Sequence, residues 1–139
     1  MFCCETVKGK GAIALLSIRL VAGLAFIQHG YPKFQHATTW MGEGMPAAFQ
    51  FLAAFAELFG GLALVVGLLT PIAAAGIAVV MLVAMFMVHI PKGDPFVGNM
   101  EHPSSWELPA VYFSIMVALM LRGGGSLSLD ALIFKKKDK

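Results

Sequence analysis

The chain has 139 residues, 58% of them hydrophobic and 13% charged, with a mean hydropathy of +0.79; an ordinary soluble domain carries roughly 25% charged residues. That balance excludes a soluble globular domain, a disordered tail and a nucleic-acid-binding module. The formal charge of +2 is small, but Lys135, Lys136, Lys137 and Lys139 crowd the C-terminus, as in a cytoplasmic membrane tail.

At about 20 residues per span, four transmembrane helices use roughly 80 residues and leave only loops and termini. The expectation is an all-α integral membrane four-helix bundle, a single domain over residues 1–139. Cys3 and Cys4 precede the first span as an adjacent pair, so they offer neither a CxxC dithiol nor a disulfide framework. They are read as exposed thiols, with lipid attachment as the alternative. The first apolar run, about 11–29, contains Arg19 and leads into HGYPK without a small-residue cleavage motif, which predicts a retained span and not a signal peptide.

The second and third spans, about 47–69 and 71–90, are separated only by the turn at Thr70 and Pro71, so they form an antiparallel hairpin. The fourth span covers about 106–121. The connections Gly30 to Pro46 and Pro91 to Ser105 are longer and polar, and both belong at the end opposite the termini. Lys8, Lys10, Arg122 and the four C-terminal lysines flank the terminal side, against Lys33 and Lys92 on the loop side, which places both termini in the cytoplasm. Trp40 and Trp106 near the loop-side span ends fit an interfacial position. After the fourth span, GGGSLSLDALIF breaks the helix at Gly123, Gly124 and Gly125 and supplies a short C-terminal segment that lies along the inner membrane surface.

Ionisable side chains inside apolar spans are expensive, and so are normally paired and turned into the bundle. Arg19 lies ten residues inward from His29, and Glu57 ten residues inward from Ala47. At 1.5 Å per residue both fall roughly 15 Å deep, which predicts a structural ion pair between them. Arg19 shares its face with Gly23, Phe26 and Gly30, and Glu57 shares its face with Gly60, Gly61, Leu64 and Leu68. The glycines let a neighbouring backbone approach closely. The pair reads either as a structural clamp or as a site in which Glu57 accepts a proton or binds a polar ligand group.

Near the loop-side mouth, His29, Lys33, His89 and Glu107 present polar groups from three helices at similar depth. Two imidazoles and a carboxylate suit a quinone headgroup or, less well, a metal ion. As helix-end residues they also suit plain interfacial solvation, with Glu107 favoured by the dipole of the fourth helix. Met81, Met85 and Met87 invite a copper reading, but they do not share one helical stripe and serve equally as core filler. His36 and His102 have no fixed spacing to these groups.

The segments RLVAGLAFIQHGYPKF and AELFGGLALVVGLLTPIAA, with His89, Glu107 and GGGSLSLD, resemble DoxX family membrane proteins in order and spacing from about Ile13 to Asp130, the loop from Gly93 to Ser105 excepted. Arg19, His29, Gly30, Lys33, Glu57, Gly60, Gly61, Gly67, Ser128 and Asp130 stand at the matching places. The resemblance implies a four-helix protein of a prokaryotic plasma (inner) membrane. It also implies an association with a thiosulfate:quinone oxidoreductase, or with a membrane oxidoreductase assembly containing a sulfurtransferase and a superoxide dismutase.

The function expected is a membrane subunit of a quinone-linked redox system. It would bind a quinone or similar amphipathic ligand among His29, Lys33, Glu57, His89 and Glu107 and dock soluble redox proteins. The chain has no flavin, dinucleotide or iron–sulfur motif, so electrons come through a partner. Further copies of the chain and the lipid bilayer are the other expected partners; nucleic acid is not. The alternative is a non-enzymatic membrane scaffold or small-solute transport module. The absence of charge from the third span speaks against a pore lined by all four helices.

Overall fold

The computed structural model describes residues 7–134; Cys3, Cys4 and the C-terminal lysines lie outside that range. Among the described residues all regular structure is helical: α1 (Lys10–Gln35), α2 (Ala47–Val66), α3 (Thr70–Val83), α4 (Glu107–Arg122) and the short α5 (Leu129–Ile133). A 3-10 turn at Gly42–Gly44 lies between α1 and α2, and α3 continues as a π turn over Ala84–His89. The helices α1, α2 and α3 with its π turn are long and apolar enough to cross a bilayer. With 16 residues, α4 is shorter, about 24 Å.

The first helix runs past its expected end at His29, through Gly30 and Pro32, to Gln35. Tertiary packing explains this. A Cβ on Gly30 would lie 2.5 Å from Leu58 N, so the glycine seats α1 directly on the backbone of α2 and keeps the chain helical. Gly23 and Gly61 repeat the arrangement deeper in the bundle, each with the other's carbonyl oxygen 2.8 Å from its would-be Cβ. Gly60 faces α3 instead, at Ile77.

The second helix ends in a Schellman motif: Gly67 is left-handed (φ 72°), with Leu68 N donating to Ala63 O at 2.9 Å and Gly67 N to Leu64 O at 3.2 Å. Pro71 in the first turn of α3 then reverses the chain. Gly123, at φ 68°, ends α4.

Around the bundle α1 packs on α2, α2 on α3 and α3 on α4, while α4 meets α1 more sparsely, with Phe26 and Tyr112 edge to face at 4.9 Å. Phe26, Leu64, Ile77, Met81, Met116 and Leu119 fill the centre. Val21, Phe49, Ile72, Val79 and Phe86 point outward and are exposed. So large an apolar exterior is a lipid-facing surface. Met81 and Met85 are buried and Met87 is exposed, so the three methionines do not converge.

The segment after α4 is docked as well as apolar. Ser126 N donates to Val7 O at 2.9 Å and Asp130 N to Gly67 O at 2.8 Å, which holds the N-terminal entry, the α2–α3 turn and the C-terminal segment at one end. Leu132, Ile133 and Phe134 remain exposed on its far side.

Candidate functional site

The expected Arg19–Glu57 pair is not formed. Glu57 pairs with Lys33, whose Nζ donates to Oε1 at 2.7 Å and lies equally close to Oε2. Arg19 lies level with Glu57 only if α1 ends at His29, and α1 runs six residues further, to Gln35. In the antiparallel packing Gly30 therefore sits opposite Glu57 and Leu58, and Arg19 opposite Gly67, where its guanidinium would meet any side chain. The arginine belongs to the other end of the bundle.

At the loop end, Glu57 is 2% exposed and Lys33 27%. The ammonium is also 4.6 Å from the centre of the Trp40 ring, a cation–π contact that covers the pair. Gln50, unnoticed in the sequence, fixes that cover. It is fully buried; its amide nitrogen donates to Gly42 O at 2.8 Å and Met45 O at 2.7 Å, its side-chain oxygen accepts from Met41 N at 2.8 Å, and its main-chain oxygen accepts from Trp40 Nε1 at 3.1 Å. One glutamine side chain thus satisfies three backbone groups of the α1–α2 loop.

His89 closes the π turn, and its Nδ1 lies 2.7 Å from Asp94 Oδ2, which also accepts from Ser104 Oγ at 2.8 Å. The Ser104 hydroxyl bond, then the His89 ring, hold the Asp94 carboxyl below the usual carboxylate range. Because Ser104 donates to the aspartate and not to the imidazole, this is no activated nucleophile. The side chains of His29 and Glu107 are exposed and make no hydrogen bond or ion pair. Among the described residues no three His, Cys, Asp or Glu side chains are grouped to hold a metal. The structure thus gathers Lys33 with Glu57 and, separately, His89 with Asp94, and leaves His29 and Glu107 open at the mouth.

At the terminal end Arg19 is 1% exposed and donates from Nη2 to Leu127 O at 2.6 Å. Asp130 supplies the opposing charge. The same carboxylate accepts from Leu69 N at 2.6 Å and Thr70 N at 2.8 Å, capping α3 from outside its own chain segment. Leu69 there has the left-handed φ of 49°, which a non-glycine residue adopts only when its surroundings impose it. Sequence reading saw Ser128 and Asp130 only as part of a pattern; an acid two residues after a serine, following a glycine break, was the available signal for a cap.

The DoxX family model matches residues 14–90. A Bacillus subtilis protein named "Putative oxidoreductase CatD" is 31% identical over 129 residues, covering 90% of each chain. Two Haemophilus influenzae proteins, each named "Uncharacterized protein", are 32% and 28% identical, covering 88% and 91% of this chain and 92% and 87% of their own. No solved structure matches the chain. With half the chain matched by the family model and whole-length similarity to these relatives, this membrane protein belongs to the DoxX family.

Proposed function

We propose that the protein is the membrane subunit of a redox system, binding a quinone or similar small amphipathic ligand at the loop end of its bundle. The observation that carries this reading is the Lys33–Glu57 pair. It is a nearly buried carboxylate with a partly open ammonium above it, reached through an aromatic cover and surrounded by lipid-facing apolar surface. A ligand with an apolar body and polar carbonyl oxygens suits that combination, since the ammonium offers donors while the ring stays out of water. The name of the Bacillus subtilis relative supports a redox role. His89, Glu107 and His29 are the loop-end groups suited to proton exchange.

Electrons enter or leave through a soluble partner docked at the membrane surface. The bundle lies in a prokaryotic inner membrane with both termini in the cytoplasm, alone or with further copies of itself. Extraction of the detergent-purified protein into organic solvent, followed by mass spectrometry, tests the reading. A near-stoichiometric quinone is expected; failure to retain or rebind any quinone overturns it. A scaffold role is favoured by one observation, that Glu57 is neutralised by Lys33, so this buried carboxylate requires no ligand. A protein that assembles its partners normally after Lys33→Met would establish that role instead.

A further inference from the structure

The imidazole of His89 is held in one orientation by its surroundings. Six residues, Ala84–His89, form a π turn at the end of α3, with Ile90 N donating to Met85 O at 3.0 Å. A regular helix would carry His89 about 40° beyond Met85, away from the buried stripe of Ile77, Met81 and Met85; the wider π turn keeps it about 30° short of it. Asp94 N then donates to His89 O at 3.1 Å, folding the loop back so that Asp94 Oδ2 meets Nδ1 at 2.7 Å.

An ionised carboxylate has no proton to give, so Nδ1 is the donor in this bond, and whenever the ring is neutral its lone pair is on Nε2. Ser104 Oγ, donating to the same Oδ2 at 2.8 Å, reinforces the ionised state, and the depressed pKa of Asp94 agrees. The histidine side chain is 24% exposed, so the ring is open to a ligand. Two residues beyond Asp94 and two beyond Ser104 stand Phe96 and Trp106, with ring centres 4.5 Å apart, an aromatic surface on both arms of the same loop.

We propose that His89, positioned by Asp94 and Ser104, is a subsite that accepts the phenolic O–H of a hydroquinone ring at Nε2, so that the protein binds the reduced form of its ligand in preference to the oxidised form. A quinone carbonyl brings a second acceptor to an acceptor nitrogen and forms no bond there; a hydroquinone brings the donor that the nitrogen needs. The subsite rests on the quinone reading above. It adds the discrimination between redox states, and it names Asp94 and Ser104 as positioning residues.

The test uses the full chain in detergent under anaerobic, mildly alkaline conditions, where an imidazole is neutral. A short-chain benzoquinone and the matching benzoquinol are titrated separately by calorimetry. The benzoquinol is expected to bind roughly tenfold more tightly, the worth of one hydrogen bond. In Asp94→Asn the amide can donate to Nδ1, which moves the ring proton to Nε2, and the preference should reverse. In His89→Gln, whose amide offers both donor and acceptor, it should vanish. Nitrogen-15 spectra of histidine-labelled protein report the tautomer without any ligand, and should show unprotonated Nε2 in the parent and protonated Nε2 in Asp94→Asn. Equal binding of both forms by the parent, a preference that survives both substitutions, or a parent Nε2 that carries the proton overturns the subsite and leaves the quinone reading standing. Binding of neither form overturns both.

Discussion

Glu57 and Lys33 sit 24 positions apart in the chain and 2.7 Å apart in space, and their unequal exposure decides how each responds to loss of the other. Lys33→Met leaves a carboxylate that is 2% exposed with no cation beside it. Stranding one member of a buried pair costs about 3–5 kcal/mol, and the lower end applies here because Glu57 can take up a proton. Glu57→Gln is milder, since Lys33 still reaches water and the Trp40 ring. Thermal unfolding in detergent should therefore rank Lys33→Met below Glu57→Gln, and a double-mutant cycle between the two should be non-additive by more than about 1 kcal/mol. Additive behaviour would show the pair to be uncoupled. Asp94 gives a residue-scale pH dependence with a definite sign. Its pKa is depressed in the fold, chiefly by Ser104 and then by His89, so the stabilisation it brings is complete above the unfolded value of about 3.9 and fades as pH falls through the lower folded value. Protection from hydrogen exchange, relative to the intrinsic rate at each pH, should fall in the segment between Ile90 and Trp106 on acidification through that window, and in Asp94→Ala it should be low and flat there.

The packing of α1 on α2 depends on glycines whose missing side chains set the distance between two backbones. At Gly30 an added Cβ would meet Leu58 N at 2.5 Å and Leu58 Cα at 2.8 Å, atoms that move only if the helices separate. At Gly76 on α3 it would meet only Ala56 Cβ at an ordinary 3.8 Å. Gly30→Ala is expected to cost about 1–3 kcal/mol, whereas Gly76→Ala should be neutral or slightly stabilising in a helix interior. Equal thermal stability of the two variants would contradict the close approach. The same interface marks how far the sequence was legible. Hydropathy located four helices to within a few residues at seven of their eight ends, and the inward faces of Arg19 and Glu57 follow directly from 3.6-residue periodicity. The eighth end, beyond His29, was missed because Gly30 and Pro32 break helices in isolation and are overruled here by contact with α2. That single error displaced the register by nearly two turns and assigned Glu57 the wrong partner. The roles of Gln50 and Asp94 were illegible for a different reason: each acts through loop backbone and side chains whose folded path no periodicity encodes.

Across the whole molecule the two ends of the bundle are built differently. The loop end carries the partly open pair Lys33–Glu57 and the histidine held by Asp94. The terminal end is closed by the Arg19–Leu127 bond and by Asp130 capping α3. Asp130→Ala removes that cap, worth about 0.5–2 kcal/mol, and with it the charge opposing Arg19. Thermal stability should fall by more than in Ser128→Ala, which removes only the Oγ bonds to Gly125 O and Ala131 N. The same division gives the orientation in the membrane a clear test. Val7, the α2–α3 turn and Ser126 to Asp130 share one end, so the basic residues Lys8, Lys10 and Arg122 flank that end, against Lys33 and Lys92 at the other. Cytoplasmic retention of basic flanks then predicts that the loop end faces outward. With Cys3 and Cys4 replaced by serine, a cysteine introduced at Gly93, where an added Cβ meets nothing within 4 Å, should react with a membrane-impermeant maleimide in sealed cells. A cysteine at Asp138 should react only after the membrane is opened. Labelling of Asp138→Cys in sealed cells, with Gly93→Cys protected, would invert the bundle and place the Lys33–Glu57 site on the cytoplasmic side.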